Sequence, residues 1–158
     1  MNGAGTAGAG DQHQQHMRTA LKMAERSLAA GGAPVGACLI RDGQLVGQAG
    51  NAVVANLDIT AHAEIELIRQ ACRDLKTLSL SGCQLYVTVQ PCAMCLAACH
   101  YAGISEVFFG ATIESVQRVT GNELAADSSQ QSASDVQLTG GILAAECEAL
   151  IESWSPRG

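Results

Sequence analysis

The stretch VTVQPCAMCLAACHYAG, residues 87–103, carries the reading of the fold. The β-rich run CQLYVTV ends at Val89 and passes through Gln90 and Pro91 into a helical segment, proline being favoured in a helix's first turn. Cys92 and Cys95 then share one face, with their sulfurs near the positive end of the helix, where a thiolate is stabilised. Three uses fit two thiols so placed: a redox pair, part of a closed structural zinc site, or part of an open catalytic zinc site with ligands elsewhere.

Working outward, Met17, Ala20, Leu21, Ala24 and Leu28 recur at helical spacing and predict an amphipathic helix over 17–29, ended by GGAP. VGACLIR and QLVGQAGN flank Asp42 and Gly43, which predicts a hairpin of antiparallel strands. A loop, NAVVANLDIT, follows. From Thr60 the segment AHAEIELIRQACRDL reads as a helix with Asp58 or Thr60 as cap and Ile65, Ile68, Ala71 and Cys72 as its buried stripe. Beyond the opening stretch, EVFFGA is a further strand. Residues 112–137 are weakly patterned, and TGNELAADSSQQSASD within them reads as a surface loop. A last helix in GGILAAECEALIESW would pack through Ile142, Leu143, Cys147, Leu150, Ile151 and Trp154. This alternation predicts a layered α/β domain with parallel pairing in its later part.

A chain of 158 residues suits one domain, expected over 17–158 behind a mobile tail at 1–16. The tail's His13 and His16 are expected to be solvated. No apolar run approaches the roughly 18 residues of a membrane span, and the Gly/Ala-rich start has neither the basic nor the apolar block of a secretory signal. Seven cysteines, an odd number, suit a reducing compartment, so the expected location is the cytoplasm. Cys38, Cys72, Cys83 and Cys147 lie in apolar patterns and read as core. A net charge of −6 and only 3% aromatic residues argue against broad attraction to nucleic acid and towards a small substrate. Arg69, Arg73 and Lys76 share a helix face, read as a solvated outer surface rather than a phosphate-binding stripe.

The choice among the three uses of Cys92 and Cys95 turns on a third ligand. His62, at the start of the preceding predicted helix, is the candidate. With Glu64 two residues on and P-C-x-x-C downstream, it matches the H-x-E…P-C-x-x-C signature of zinc deaminases. One imidazole and two thiolates leave the fourth position on zinc for water, whose pKa falls to about 7 in favourable sites. Attack on an amino-bearing ring carbon then needs a proton carrier, and Glu64 suits that task. Spacing on an ideal helix would favour Glu66, which shares a face with His62 at i+4, so Glu64 rests on the motif and Glu66 is its substitute. Cys99, or less readily His100, could instead close the coordination and make the site structural.

Taken together, these residues resemble the cytidine and deoxycytidylate deaminase superfamily, in its branch of bacterial tRNA adenosine deaminases and guanine deaminases. The likeness runs from about Met17 to Trp154 through APVGACLI, Asn51 ahead of DITAHAEI, LYVTVQPCAMC, VFFGA and GILAAECEAL. It implies a three-layer α/β/α sandwich around a mixed five-stranded sheet, a catalytic Zn2+, and a homodimer whose interface borders the active site. It further implies His62, Cys92 and Cys95 as zinc ligands, Glu64 as proton shuttle, Asn51 as a contact to the base, and the backbone amide of Ala63 as another. The expected substrate is a free nucleobase or related amino heterocycle, guanine before cytosine. The alternative is adenosine in tRNA, against which stand the acidic charge, the missing basic C-terminal extension and the Ser/Gln-rich loop. Gln90 stands where the family generally has glutamate.

Overall fold

The computed structural model describes residues 8–120 and 135–154. Its first element, helix α1 (Ala9–Ala29), leads into strands β1 (Gly36–Arg41) and β2 (Gln44–Gly50). These pair antiparallel through a turn in which Asp42 and Gly43 both have positive φ, 52° and 76°. Such a two-residue turn matches the twist of the strands it joins, and glycine adopts it without strain. A single helical turn, α2 (Val53–Asn56), sits in the segment expected to be loop. Helix α3 (Ala63–Leu75), strand β3 (Cys83–Val89), helix α4 (Ala93–Ala102) and strand β4 (Glu106–Ala111) follow, then α5 (Ile113–Thr120), β5 (Gln137–Thr139) and α6 (Ala144–Glu152).

The sheet has the order β2-β1-β3-β4-β5. β1 is antiparallel to β2 and β3, whereas β3, β4 and β5 run parallel, as the alternation predicts. Alternate residues of the central strands feed two cores. Cys38, Ile40, Tyr86 and Phe108 pack with Met17 and Ala20 of α1 and Cys147 and Ile151 of α6. Ala37, Leu39, Leu85, Val87 and Val107 pack on the other face with Leu67 and Ala71 of α3 and Leu96 and Cys99 of α4. The result is the three-layer α/β/α sandwich around a mixed five-stranded sheet. A Cβ on Gly36 would overlap the carbonyl oxygen of Ala20, so α1 lies on β1 at backbone contact distance. Among the described residues no helix is long and apolar enough to cross a membrane.

Several expectations need correction. Residues 9–16, assigned to a mobile tail, are the opening turns of α1. His13 and His16 there are half-buried rather than solvated: His13 Nδ1 lies 2.6 Å from the Tyr86 hydroxyl, its ring sits 4.4 Å from that of Phe108, and the His16 ring is 5.1 Å from Tyr86. The polar run DQHQQH lacks the apolar periodicity by which helices are found, because its histidine rings do the packing. Neither Asp58 nor Thr60 caps α3. The N-cap is His62, and Asp58 instead accepts the Thr60 N–H at 2.9 Å, one turn upstream. The buried stripe of α3 is Ala63, Glu64, Leu67 and Ala71, with Ile65, Ile68 and Cys72 half-buried. α5 was hidden in the weakly patterned region, and most of the predicted surface loop, residues 121–134, lies outside the described residues.

Candidate metal centre and active site

The start of α3 and the start of α4 meet at one end of the sheet. Pro91, which has no N–H to give, precedes Cys92, the extended N-cap residue of α4 (φ −74°, ψ 175°), and Cys95 follows one turn in. His62 is the extended N-cap of α3 (φ −66°, ψ 159°). Neither cap residue uses its side chain to bond its own helix. His62 Nδ1 lies 3.6 Å from Cys92 Sγ and 3.6 Å from Cys95 Sγ.

Those separations test whether a metal fits. Tetrahedral zinc with Zn–S near 2.3 Å and Zn–N near 2.05 Å sets its sulfur and nitrogen ligands about 3.5 Å apart. All three donor atoms lie within 4.8 Å of one another, and among the described residues no other group of three or more His, Cys, Asp or Glu side chains is so placed. Cys99 is buried but outside this group, and His100 is turned to Asp135, 2.6 Å away at the surface. The closed coordination is therefore not built. The thiols are electrostatically prepared: hydrogen bonding from Cys95, helped by His62, brings the Cys92 thiol down to about 4 against the effect of burial, while Cys95 is raised. The pair thus gives up its first proton readily. Hydrogen bonding to Cys92 raises His62.

Glu64 is 3% exposed and lines the same cavity as His62 and Cys92. Burial pushes its carboxyl up to about 7, the Cys92 thiolate pushing the same way and His62 opposing. The conflict over i and i+2 spacing dissolves because His62 is outside the helix, so the 100° step per residue does not relate the two side chains. Glu66, the substitute, is held instead by Arg69 at 3.0 Å, and Arg69 also reaches Asp58 at 3.4 Å. That pairing keeps Arg69 on the solvated outer face.

The cavity is about 460 Å³, a size suited to a small molecule. Asn51, at the end of β2, reaches it with its Oδ1 accepting the Val53 N–H at 3.1 Å. Ala63 is fully buried and not among the lining residues. So His62, Glu64, Cys92 and Asn51 come together around the cavity, with Cys95 beneath them, whereas Ala63 does not line it. Sequence reasoning missed the apolar far wall, made by Ile113 and Val116 of α5 and by Ile151 and Trp154 at the end of α6. Trp154, the one tryptophan of the chain, was the available signal. A wider cleft of about 570 Å³ between α1 and α6 carries Arg18, Lys22, Glu25 and Glu146 and none of the metal donors.

A family profile described as the cytidine and deoxycytidylate deaminase zinc-binding region matches residues 10–111. The chain belongs to this family. Zinc is accordingly the metal that His62, Cys92 and Cys95 fit. Among relatives in this deaminase family, a tRNA-specific adenosine deaminase of Aquifex aeolicus (strain VF5) is 43% identical over 60% of this chain and 63% of its own length. A guanine deaminase of Bacillus subtilis (strain 168) is 38% identical over 63% of this chain and 64% of its own. The chain thus spans just under two thirds of each of these two relatives. A solved structure described as NE0047 in complex with 2,6-diaminopurine superimposes with a TM-score of 0.81 at 26% identity, covering 89% of this chain and 80% of that one.

Proposed function

We propose that this protein is a zinc-dependent hydrolytic deaminase of a free nucleobase or closely related amino heterocycle, guanine before cytosine. The observation that carries the reading is the meeting of His62, Cys92 and Cys95 beside a buried Glu64 at a mostly apolar cavity. Zinc held by these three residues supplies Lewis-acid activation of a water near neutral pH. Glu64 takes one proton from the attacking water and passes it to the ring nitrogen, then takes the second from the hydroxyl added to the ring carbon and passes it to the amino group, which leaves as ammonia as the oxo group forms. Its burial among apolar groups suits a carboxyl that must alternate between donor and acceptor. Val35, Ile113 and Val116 exclude water from the ring faces, and Asn51 orients the ring edge.

A free base is favoured over a polynucleotide because the described lining residues include no lysine or arginine and the net charge is −6. Exposed Val54, Leu57 and Ile59 stand at or beside the cavity mouth, an apolar rim suited to a homodimer interface. The seven free thiols suit the reducing cytoplasm. The second reading, deamination of adenosine in tRNA, draws on the name of the Aquifex relative. Purified protein should carry about one zinc per chain and release ammonia from guanine. Assays of guanine, cytosine, adenine, their nucleosides and an anticodon stem-loop decide between the readings: ammonia from the stem-loop alone would overturn the free-base reading, and ammonia from none would overturn both.

A further inference from the structure

Ser27, in the last turn of α1, is buried and its side chain leaves its own helix. A helical serine commonly bonds a carbonyl one turn back, but here the hydroxyl donates to the Asn51 carbonyl, 24 residues on, at 2.8 Å. The approach needs a glycine beside it: a Cβ on Gly50, the last residue of β2, would overlap the Ser27 hydroxyl oxygen and come within 2.8 Å of the Met23 carbonyl oxygen. The main chain of Ser27 is fixed in turn, since its carbonyl accepts the Gly32 N–H at 2.8 Å as the chain leaves α1.

Asn51 is thereby held at three points. Its N–H donates to the Val35 carbonyl at 2.9 Å, its carbonyl accepts the Ser27 hydroxyl, and its Oδ1 accepts the Val53 N–H at 3.1 Å. A backbone N–H only donates, so the carboxamide must face Val53 with oxygen, which commits the NH2 group to the other side. Among the described residues Nδ2 has no hydrogen-bond partner, and Asn51 lines the cavity. Of the three ties, only the one at the carbonyl depends on the side chain of a distant residue. Among the described residues it is the sole hydrogen bond to that carbonyl, and Ser27 supplies it from behind the wall, not being among the lining residues.

We infer that Ser27 is a positioning residue: by holding the main chain of Asn51 from behind the cavity wall, its hydroxyl aims the Asn51 amide nitrogen at the substrate ring. Without that hydroxyl the peptide after Asn51 is free to rotate, and the carboxamide, hung on the same Cα, loses its direction. A contact that must be held in a narrow range of geometry is weakened by such slack even though no group touching the substrate has changed. The inference rests on the free-base reading and on the contact proposed there between Asn51 and the ring.

The test is a double-mutant cycle on the zinc-loaded enzyme, run on guanine, or on cytosine should the wild type take only that base. kcat/KM, zinc content and the urea midpoint are read for each form. Ser27→Ala should lower kcat/KM by about twofold to tenfold, the range of one hydrogen bond, at unchanged zinc content. In an Asn51→Ala background, where no amide is left to aim, the same substitution should bring no further loss of kcat/KM, although it lowers the urea midpoint in both backgrounds. If Asn51→Ala does not fold, Asn51→Asp, which can still accept the Val53 N–H but lacks the amide donor, takes its place in the cycle. An unchanged kcat/KM in Ser27→Ala, or an equal loss in both backgrounds, would leave Ser27 a packing residue and overturn the inference while the free-base reading stands. A wild type that releases ammonia from neither base would overturn both, and that failure is visible before any variant is made.

Discussion

Two helix starts in this molecule carry half-buried histidines, and they do different things. At the start of α3, His62 stands 3.6 Å from two thiols and two residues from a buried carboxylate. In the first turns of α1, His13 and His16 lie over Tyr86 and Phe108 and pack like aromatic residues. The residue type is the same and exposure is similar, so the role is set by what the fold brings opposite. His62 meets groups 30 and 33 positions away that can carry negative charge; His13 meets a phenol and a benzyl ring. One arrangement is suited to an ion, and the other closes the sheet's face.

Substitutions at the two starts sharpen that contrast. The largest effect is expected from His62→Ala, which should drop zinc content below half an equivalent and bring ammonia release to background, read by metal analysis beside an activity assay. Glu64→Gln should keep the metal yet slow turnover by about 10²–10⁴, the range for a lost proton carrier. Retained turnover in that variant would remove Glu64 from the role assigned to it.

Along α1 the effects are on stability alone. Gly36→Ala inserts a Cβ into the carbonyl of Ala20 in α1 and should cost about 1–3 kcal/mol, measured as a shift in the urea midpoint. His13→Ala should cost about 0.5–1.5 kcal/mol for its bond to Tyr86 and leave zinc content unchanged. Zinc loss in His13→Ala would erase the distinction between the two histidine sites.

The same contrast explains what was legible in the sequence. Strands β1 to β4, the hairpin turn at Asp42–Gly43 and the parallel pairing of β3 with β4 follow from short-range patterns, and the donor set was legible through the H-x-E…P-C-x-x-C pattern. The opening turns of α1 were not, since DQHQQH carries no apolar stripe and its partners Tyr86 and Phe108 are more than 70 residues away. α5 is amphipathic, with Ile113 and Val116 on its buried side, but it is only eight residues long and rich in β-branched residues, too short a pattern to stand out from loop. β5 is three exposed residues long and is defined only by its pairing with β4. The apparent misfit between His62 and Glu64 came from assuming that both were helical, whereas the cap residue's extended backbone frees its side chain to turn towards the thiols. Gln90, which stands where the family generally has glutamate, accepts the Ile113 N–H across to α5, a contact that no short-range pattern shows.

The central claim is an ion held by one imidazole and two thiolates with its remaining position open to solvent. X-ray absorption at the zinc edge of the purified protein tests it directly. The account predicts two sulfur neighbours near 2.3 Å and two lighter neighbours near 2.0–2.1 Å, one of them displaceable by a small exogenous ligand. A third sulfur in the shell, or four neighbours none of which exchanges, would contradict it.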